Sequence, residues 1–130
     1  MHFLIRNTVT YTLLCLIMKV KEYICSDGSN PYKKWFSSLN SQAAAKVTIA
    51  IARLKLGNTS NIKWFEDIGE YRLNWGAGYR IYLAQDGREL IILFGGGTKK
   101  RQQADIDRAK ALHQEYKRRK KELKQKKKKR

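Results

Sequence analysis

At 130 residues with a formal net charge of +17, the chain has room for one modest core, and its charge favours a polyanionic partner over an acidic one. The excess is uneven: residues 117–130 hold 11 Lys/Arg and one acid, leaving 17 basic and 10 acidic residues elsewhere, so the body is basic without its tail. Two cysteines and two histidines without metal-ligand spacing argue against a disulfide framework and a zinc site, and point to a reducing, cytoplasmic setting with no metal or other cofactor.

In chain order, residues 1–17 come first. The apolar run Val9 to Met18 behind His2 and Arg6 has the outline of a signal peptide. It is too short to span a bilayer and no small-x-small cleavage site follows it, so no membrane association is expected. Met18 then opens MKVKEYIC, which looks like a natural start. Residues 1–17 therefore read as a non-native or dispensable extension, 18–116 as the folded domain and 117–130 as a Lys/Arg-rich tail.

Alternation predicts a first strand over Val20–Cys25. Asn30-Pro31 is a helix cap followed by proline at the first helical position, giving a short helix from Pro31 to Leu39. A second helix is expected from about Ser41 to Leu56, with Gly57 as its stop and Ala44, Val47, Ile51 and Leu54 as its apolar stripe. Trp35, Trp64 and Trp75 read as core residues.

Glu70 to Phe94 reads as three strands joined by two glycine turns, the second being Asp86-Gly87. Pairing Trp75 with Tyr79 and Leu83 with Leu90 puts Tyr71, Leu73, Trp75, Tyr79, Ile81, Leu83, Leu90, Ile92 and Phe94 on one face, as a core. Glu70, Arg72, Asn74, Arg80 and Tyr82 share the other face, over Ile91 and Leu93. Two arginines, an asparagine and a tyrosine on one open face make an anion site. Gly95-Gly96-Gly97 lacks the spacing of a nucleotide-binding loop and reads as a flexible exit that places Lys99 beside that face. A last helix is expected from about Lys100 to Arg119, burying Ile106, Ala109, Leu112 and Tyr116. The lysine-rich end has nothing to bury and reads as frayed helix or disorder.

The order of these residues resembles the HigB-like branch of the RelE/ParE toxin superfamily. The likeness is carried by Trp35-Phe36-x-x-Leu39, Arg53-Leu54 with Gly57-Asn58, Glu70-Tyr71-Arg72, Gly76-Ala77-Gly78-Tyr79-Arg80-Ile81-Tyr82, Gly96-Gly97-Thr98-Lys99 and Gln102-x-x-Asp105-Ile106. It covers about Lys19 to Tyr116. Tyr71, where the family usually has leucine, and Thr98, where many members have aspartate, depart from it. The resemblance implies an α+β, RelE-like fold: two N-terminal helices packed on one face of a curved, mostly antiparallel sheet, with a C-terminal helix and the open face used for function. It also implies a toxin of a type II toxin–antitoxin module, an endoribonuclease cutting messenger RNA on the ribosome and silenced by a HigA-like helix-turn-helix antitoxin.

Metal-free RNA cleavage needs a base for the 2′-hydroxyl, stabilisation of the phosphorane's charge, and an acid for the leaving 5′-oxygen. Arg72 and Arg80 suit the second task, because a guanidinium fork matches two phosphate oxygens. Lys99 is the third catalytic candidate, as phosphate clamp or proton donor. Tyr82, stacking on a base or donating a hydrogen bond, and the basic Lys63, Lys100 and Arg101 are candidate RNA contacts. Glu70 is the only carboxylate on that face, hence a possible general base, or else the ion-pair partner that holds an arginine in place. His113 borders the buried stripe and reads as structural. Two alternatives stand beside this reading: a ParE-type gyrase inhibitor of the same fold, and a non-enzymatic RNA-binding protein.

Overall fold

A computed structural model describes residues 17–129. The proposed extension therefore lies, apart from Ile17, outside the described residues. Met18 belongs to the fold: its side chain is buried and its N–H donates to the Lys55 carbonyl at 2.9 Å.

The elements run β1 (Lys19–Glu22), α1 (Pro31–Ser37), α2 (Ser41–Lys55), β2 (Ile62–Phe65), β3 (Ile68–Leu73), β4 (Tyr79–Asp86), β5 (Leu90–Gly97), a single 3₁₀ turn (Lys99–Arg101) and α3 (Gln102–Lys128). The fold is α+β, with an open five-stranded sheet in the order β1-β5-β4-β3-β2. The sheet is mixed: β1 runs parallel to β5, and every other pair is antiparallel. α1 and α2 lie between β1 and β2 in the chain, so they are mid-chain rather than N-terminal helices.

Local signals fix the helix starts. Asn30 accepts from the Lys33 N–H at 3.0 Å with Pro31 behind it, and Asn40 accepts from the Ala43 N–H at 2.8 Å, each satisfying one orphan donor of the first turn. α1 stops at Ser37, two residues early, where the Ser38 hydroxyl donates to the Trp35 carbonyl. α2 buries Ala43, Val47, Ala50 and Leu54, with Ala44 and Ile51 half-buried at the border. β1 ends at Glu22, short of Cys25, although Tyr23 still donates to Leu93 at 2.9 Å.

The meander forms, with two changes of register. In the first hairpin Leu73 pairs with Tyr79 and Arg72 with Arg80, two residues from the expected pairing. An even shift keeps every side chain on its face. In the second, Asp86 pairs with Leu90 and Leu83 with Leu93, because the loop holds Gly87, Arg88 and Glu89 rather than a two-residue turn. That odd shift turns β5 over. Ile91 and Leu93 join Tyr71, Ile81 and Leu83 under α1 and α2, with Tyr32, Val47 and Leu54. Ile92 and Phe94 instead join Tyr82 and Ala84 under α3, with Ile106 and Ala109. A bulge follows, with Tyr82 opposite Gly95 and Phe94 as the extra residue.

The sheet is thus covered on both sides, and the expectation of a single packed face with an open one opposite it is corrected: α3 occupies the second face. Trp64 is 45% exposed and is not a core residue, while Trp35 and Trp75 are half-buried. The basic end is helical through Lys128, not frayed. Its inner turns are tied to loops of the body: Lys117 to Asp67 at 2.9 Å, Lys120 to Asp86 at 2.7 Å and Arg119 to the Ile24 carbonyl at 2.6 Å. No helix of the described residues is long and apolar enough to cross a membrane.

Candidate functional site

The neighbouring strands β3 and β4 pair Glu70 with Tyr82 and Arg72 with Arg80 in alternate rungs of one ladder, so parity alone gathers the four side chains on the α3 side. Glu70 is their hub and has no solvent exposure. Arg72 donates from Nε to Glu70 Oε1 at 2.6 Å. The Tyr82 hydroxyl donates to Oε2 at 3.2 Å. From the first turn of α3, Gln102 reaches Oε2 at 3.0 Å and Oε1 at 3.3 Å. Arg80 Nε lies 3.6 Å from Oε1, an ion contact too long for a hydrogen bond. The guanidinium of Arg80 is fixed instead by Nη1, which donates to the Gly78 carbonyl at 2.5 Å.

The two arginines are therefore unlike. The side chain of Arg72 is 37% exposed, and that of Arg80 is 8% exposed. Arg72 is held at Nε by the carboxylate and stays part-exposed. Arg80 is the inner charge and supports the hairpin end. Burial, reinforced by the adjacent Glu70 carboxylate, pushes the Tyr82 hydroxyl well above the usual phenol range, which keeps it a donor. Tyr82 is almost completely covered, so its role is to hold Glu70, with no free face on which a base could stack.

Gly78 brings in the next candidate. Its φ is +73°, and a Cβ there would lie 3.1 Å from Arg80 Nη1 and 3.4 Å from the Lys99 Cβ. The left-handed backbone at this position is what favours glycine, and the 3₁₀ turn packs within van der Waals reach of it. The Lys99 N–H points at the Ala77 carbonyl at 3.4 Å, and its side chain is exposed beside the arginines. Lys100 and Arg101 are exposed on the same turn. Lys63, directly opposite Glu70 in the ladder, lies outward with its ammonium 5.1 Å from the Phe65 ring centre. Glu70, Arg72, Arg80, Tyr82 and Lys99 thus share one end of the molecule, with Lys63, Lys100 and Arg101 around it.

His113 is elsewhere, in the buried stripe of α3. Its Nδ1 lies 3.0 Å from Asp67 Oδ2, close enough for an ion contact but poorly aligned as a hydrogen bond. Burial pulls its pKa below the usual imidazole range, and Asp67 opposes this more weakly. Gln102, part of the Gln-x-x-Asp run in the sequence, was not expected to reach Glu70. Only its position one residue after a basic turn could have suggested it. Among the described residues, no group of three or more His, Cys, Asp or Glu side chains is placed to hold a metal ion.

No protein-family model matches the chain. It is 44% identical over 86 residues to an uncharacterized protein of Haemophilus influenzae, an overlap covering 65% of this chain and 87% of the relative. At that identity and coverage, the chain belongs to the same family as this uncharacterized Haemophilus influenzae protein.

Proposed function

We propose that the chain is the toxin of a type II toxin–antitoxin module, a HigB-like member of the RelE/ParE superfamily that cleaves messenger RNA on the ribosome without a metal. One observation supports it most: a buried carboxylate holds Arg72 at Nε while that side chain stays part-exposed, on the hairpin whose Gly76–Gly78 turn abuts Lys99. This is a preorganised anion site at the end of a basic body. In the reaction, the 2′-hydroxyl gives its proton to solvent water as its oxygen attacks phosphorus, the P–O5′ bond breaks, and a 2′,3′-cyclic phosphate and a 5′-hydroxyl result. Arg72 stabilises the charge on the phosphorane's equatorial oxygens, and Lys99 gives the leaving oxygen its proton or clamps the phosphate. Arg80 raises the local positive potential from below. Glu70, enclosed and already accepting from three side chains, acts as the clamp on Arg72 rather than as the base. Its partner in the cell is a HigA-like helix-turn-helix antitoxin, and the helical basic end of α3 adds salt-dependent affinity for RNA.

The same saturation of Glu70 favours a second reading, a non-enzymatic RNA-binding protein, since the carboxylate that contacts both arginines is already engaged. Incubating the purified chain with message-loaded ribosomes separates the two. Cleavage by the wild-type chain and a loss of about 10²–10³ in rate for Arg72→Ala, assayed at a temperature where the variant is still folded, is the expected result. Binding without cleavage leaves the second reading. Full cleavage by Arg72→Ala removes the cluster from the chemistry, and inhibition of gyrase supercoiling in place of RNA cleavage identifies a ParE-type activity.

A further inference from the structure

β1 pairs with β5 only over Leu90–Leu93, while β5 continues to Gly97. Among the described residues no strand pairs with the edge at Gly95–Gly97. α1 stands on one side of that edge and α3 on the other, and between them lies a cleft of about 480 Å³, within the range of small-ligand sites. Its walls include Trp35, Tyr82, Phe94, Asp105, Lys34 and Arg108. Glycine makes its floor bare backbone. A Cβ on Gly96 would lie 2.5 Å from three atoms of the Trp35 indole, and one on Gly97 would run into the Asp105 carboxylate. The indole therefore lies directly on β5, with a carboxylate one residue further along.

Asp105 stands in the first turn of α3, where a carboxylate suits the helix dipole, and it is half-buried at the wall of this cleft. Among the described residues no hydrogen bond or ion pair engages its carboxylate, although the nearby charges of Arg108 and Arg101 partly offset the burial that raises its pKa. Its oxygens are not sealed from water, so they can accept from a ligand that enters the cleft. Asp105 also follows Gln102 by three residues on α3, so it sits about 4.5 Å along the helix axis from the residue that hydrogen-bonds Glu70. Arg80 connects the two places from the sheet, because Gly97 is its strand partner.

We propose that this cleft is a nucleobase subsite selective for guanine, holding one base of a single-stranded RNA whose backbone passes Arg72 and Lys99. The inference rests on the RNA reading of that cluster and adds to it a determinant of base choice. An ionised carboxylate accepts two parallel N–H bonds. Among the four RNA bases only guanine offers two adjacent N–H donors, N1–H and the N2 amino group, on one edge. Adenine and cytosine turn a ring-nitrogen acceptor toward the carboxylate beside their amino group, and uracil sets a carbonyl on either side of its single N–H. The indole supplies an aromatic wall of the kind on which unstacked bases rest. Lys34 and Arg108 at the rim suit the flanking phosphates.

The test uses the full chain, nitrogen-labelled, titrated with GMP, AMP, CMP and UMP while following the Trp35 indole N–H resonance, identified through Trp35→Phe. The expected result is a saturable shift with GMP, with AMP weaker by about tenfold or more, and loss of that preference in Asp105→Asn with the rest of the spectrum unchanged. No shift at millimolar nucleotide, equal affinity for GMP and AMP, or a GMP preference that survives in Asp105→Asn would overturn the proposal. Its failure is separable from that of the RNA-cleavage reading. Cleavage lost in Arg72→Ala without any Trp35 shift removes the subsite alone, whereas a GMP-selective shift in a chain that cuts no RNA retains the subsite and removes the cleavage.

Discussion

The two faces of the sheet are built from the same strands by different physics. Beneath α1 and α2 the packed side chains are aliphatic and aromatic, with Tyr32 and Tyr71 the only polar atoms among the fully buried members. Glu70, Arg80 and His113, the three buried polar or charged side chains among the described residues, all lie on the α3 side. Burial of apolar area suffices to hold one face. On the other, ionised groups were taken out of water, which is rarely the cheapest way to make a protein stable. A face that carries such groups is where function is to be sought.

Removing one member from each face gives the largest expected effects and distinguishes the two mechanisms. Leu83→Ala opens a cavity beneath α2 and should cost about 2–5 kcal/mol. Glu70→Ala leaves Arg80 buried without its acid and should cost about 3–5 kcal/mol. The faces differ in how they are rescued. Replacing both ionic partners, Glu70→Leu with Arg80→Met, should recover most of the lost stability, because the desolvated charges go together. Arg72 then loses its clamp, so activity should stay low. Urea unfolding of the three variants and the wild type measures this. A Glu70→Ala chain that unfolds at the wild-type midpoint would show that the buried carboxylate contributes nothing to the fold. For the same reason Arg80→Ala is not a purely functional variant: the sequence suggested a side chain on open sheet, and the structure covers it.

What could be read from the sequence follows the reach of each signal. Helix caps are local, and Asn30-Pro31 and Asn40 start their helices where expected. Strict alternation in Glu70–Leu73 and Tyr79–Tyr82 placed Glu70, Arg72, Arg80 and Tyr82 on one face correctly, despite a two-residue error in pairing. Ile91 to Phe94 carries no alternation, since all four residues are apolar. Either parity satisfies such a run, and only a sheet buried on both sides chooses between them. The turned-over β5 and the covered second face are thus one omission. The helical basic end was missed because its anchors, Asp67 in a turn and Asp86 at the end of β4, lie 30 to 50 residues away in sequence. Glu70 could be placed but not given a role, because that depended on Gln102 arriving from α3.

The second contrast is in pH. The core under α1 and α2 holds no group that titrates near neutrality, whereas His113 does so on the other side. Burial lowers its folded pKa below the unfolded value, so the native state holds the neutral ring and the unfolded chain binds the extra proton. The stabilisation is complete above the unfolded value of about 6.5 and is lost as pH falls through the folded one. The urea midpoint should therefore decline on acidification from about pH 6.5, and His113→Phe should flatten that segment. Parallel pH profiles for wild type and variant would exclude His113 as the source.

The smallest expected effect concerns the turn that supplies Asp67 to this charged side. Glu66 and Asp67 link β2 to β3, whose flanking residues Phe65 and Ile68 pair directly. Glu66 has φ +59°, the one positive value on a residue other than glycine among those described. For an ordinary side chain, left-handed backbone costs roughly 1–2 kcal/mol, and asparagine tolerates it better because its short amide bonds locally. Among the described residues Glu66 makes one ion contact, to Lys110 at 3.7 Å, with its side chain 81% exposed, and an exposed pair of that kind contributes little. Glu66→Asn should therefore stabilise the chain by about 0.5 kcal/mol, raising the melting temperature by roughly 2–4 °C for a domain of this size, without altering the contact of Asp67 with His113 and Lys117. A lower melting temperature would mean that the Lys110 contact outweighs the backbone strain. The charged side would then depend on its surface pairs as well as on its buried ones.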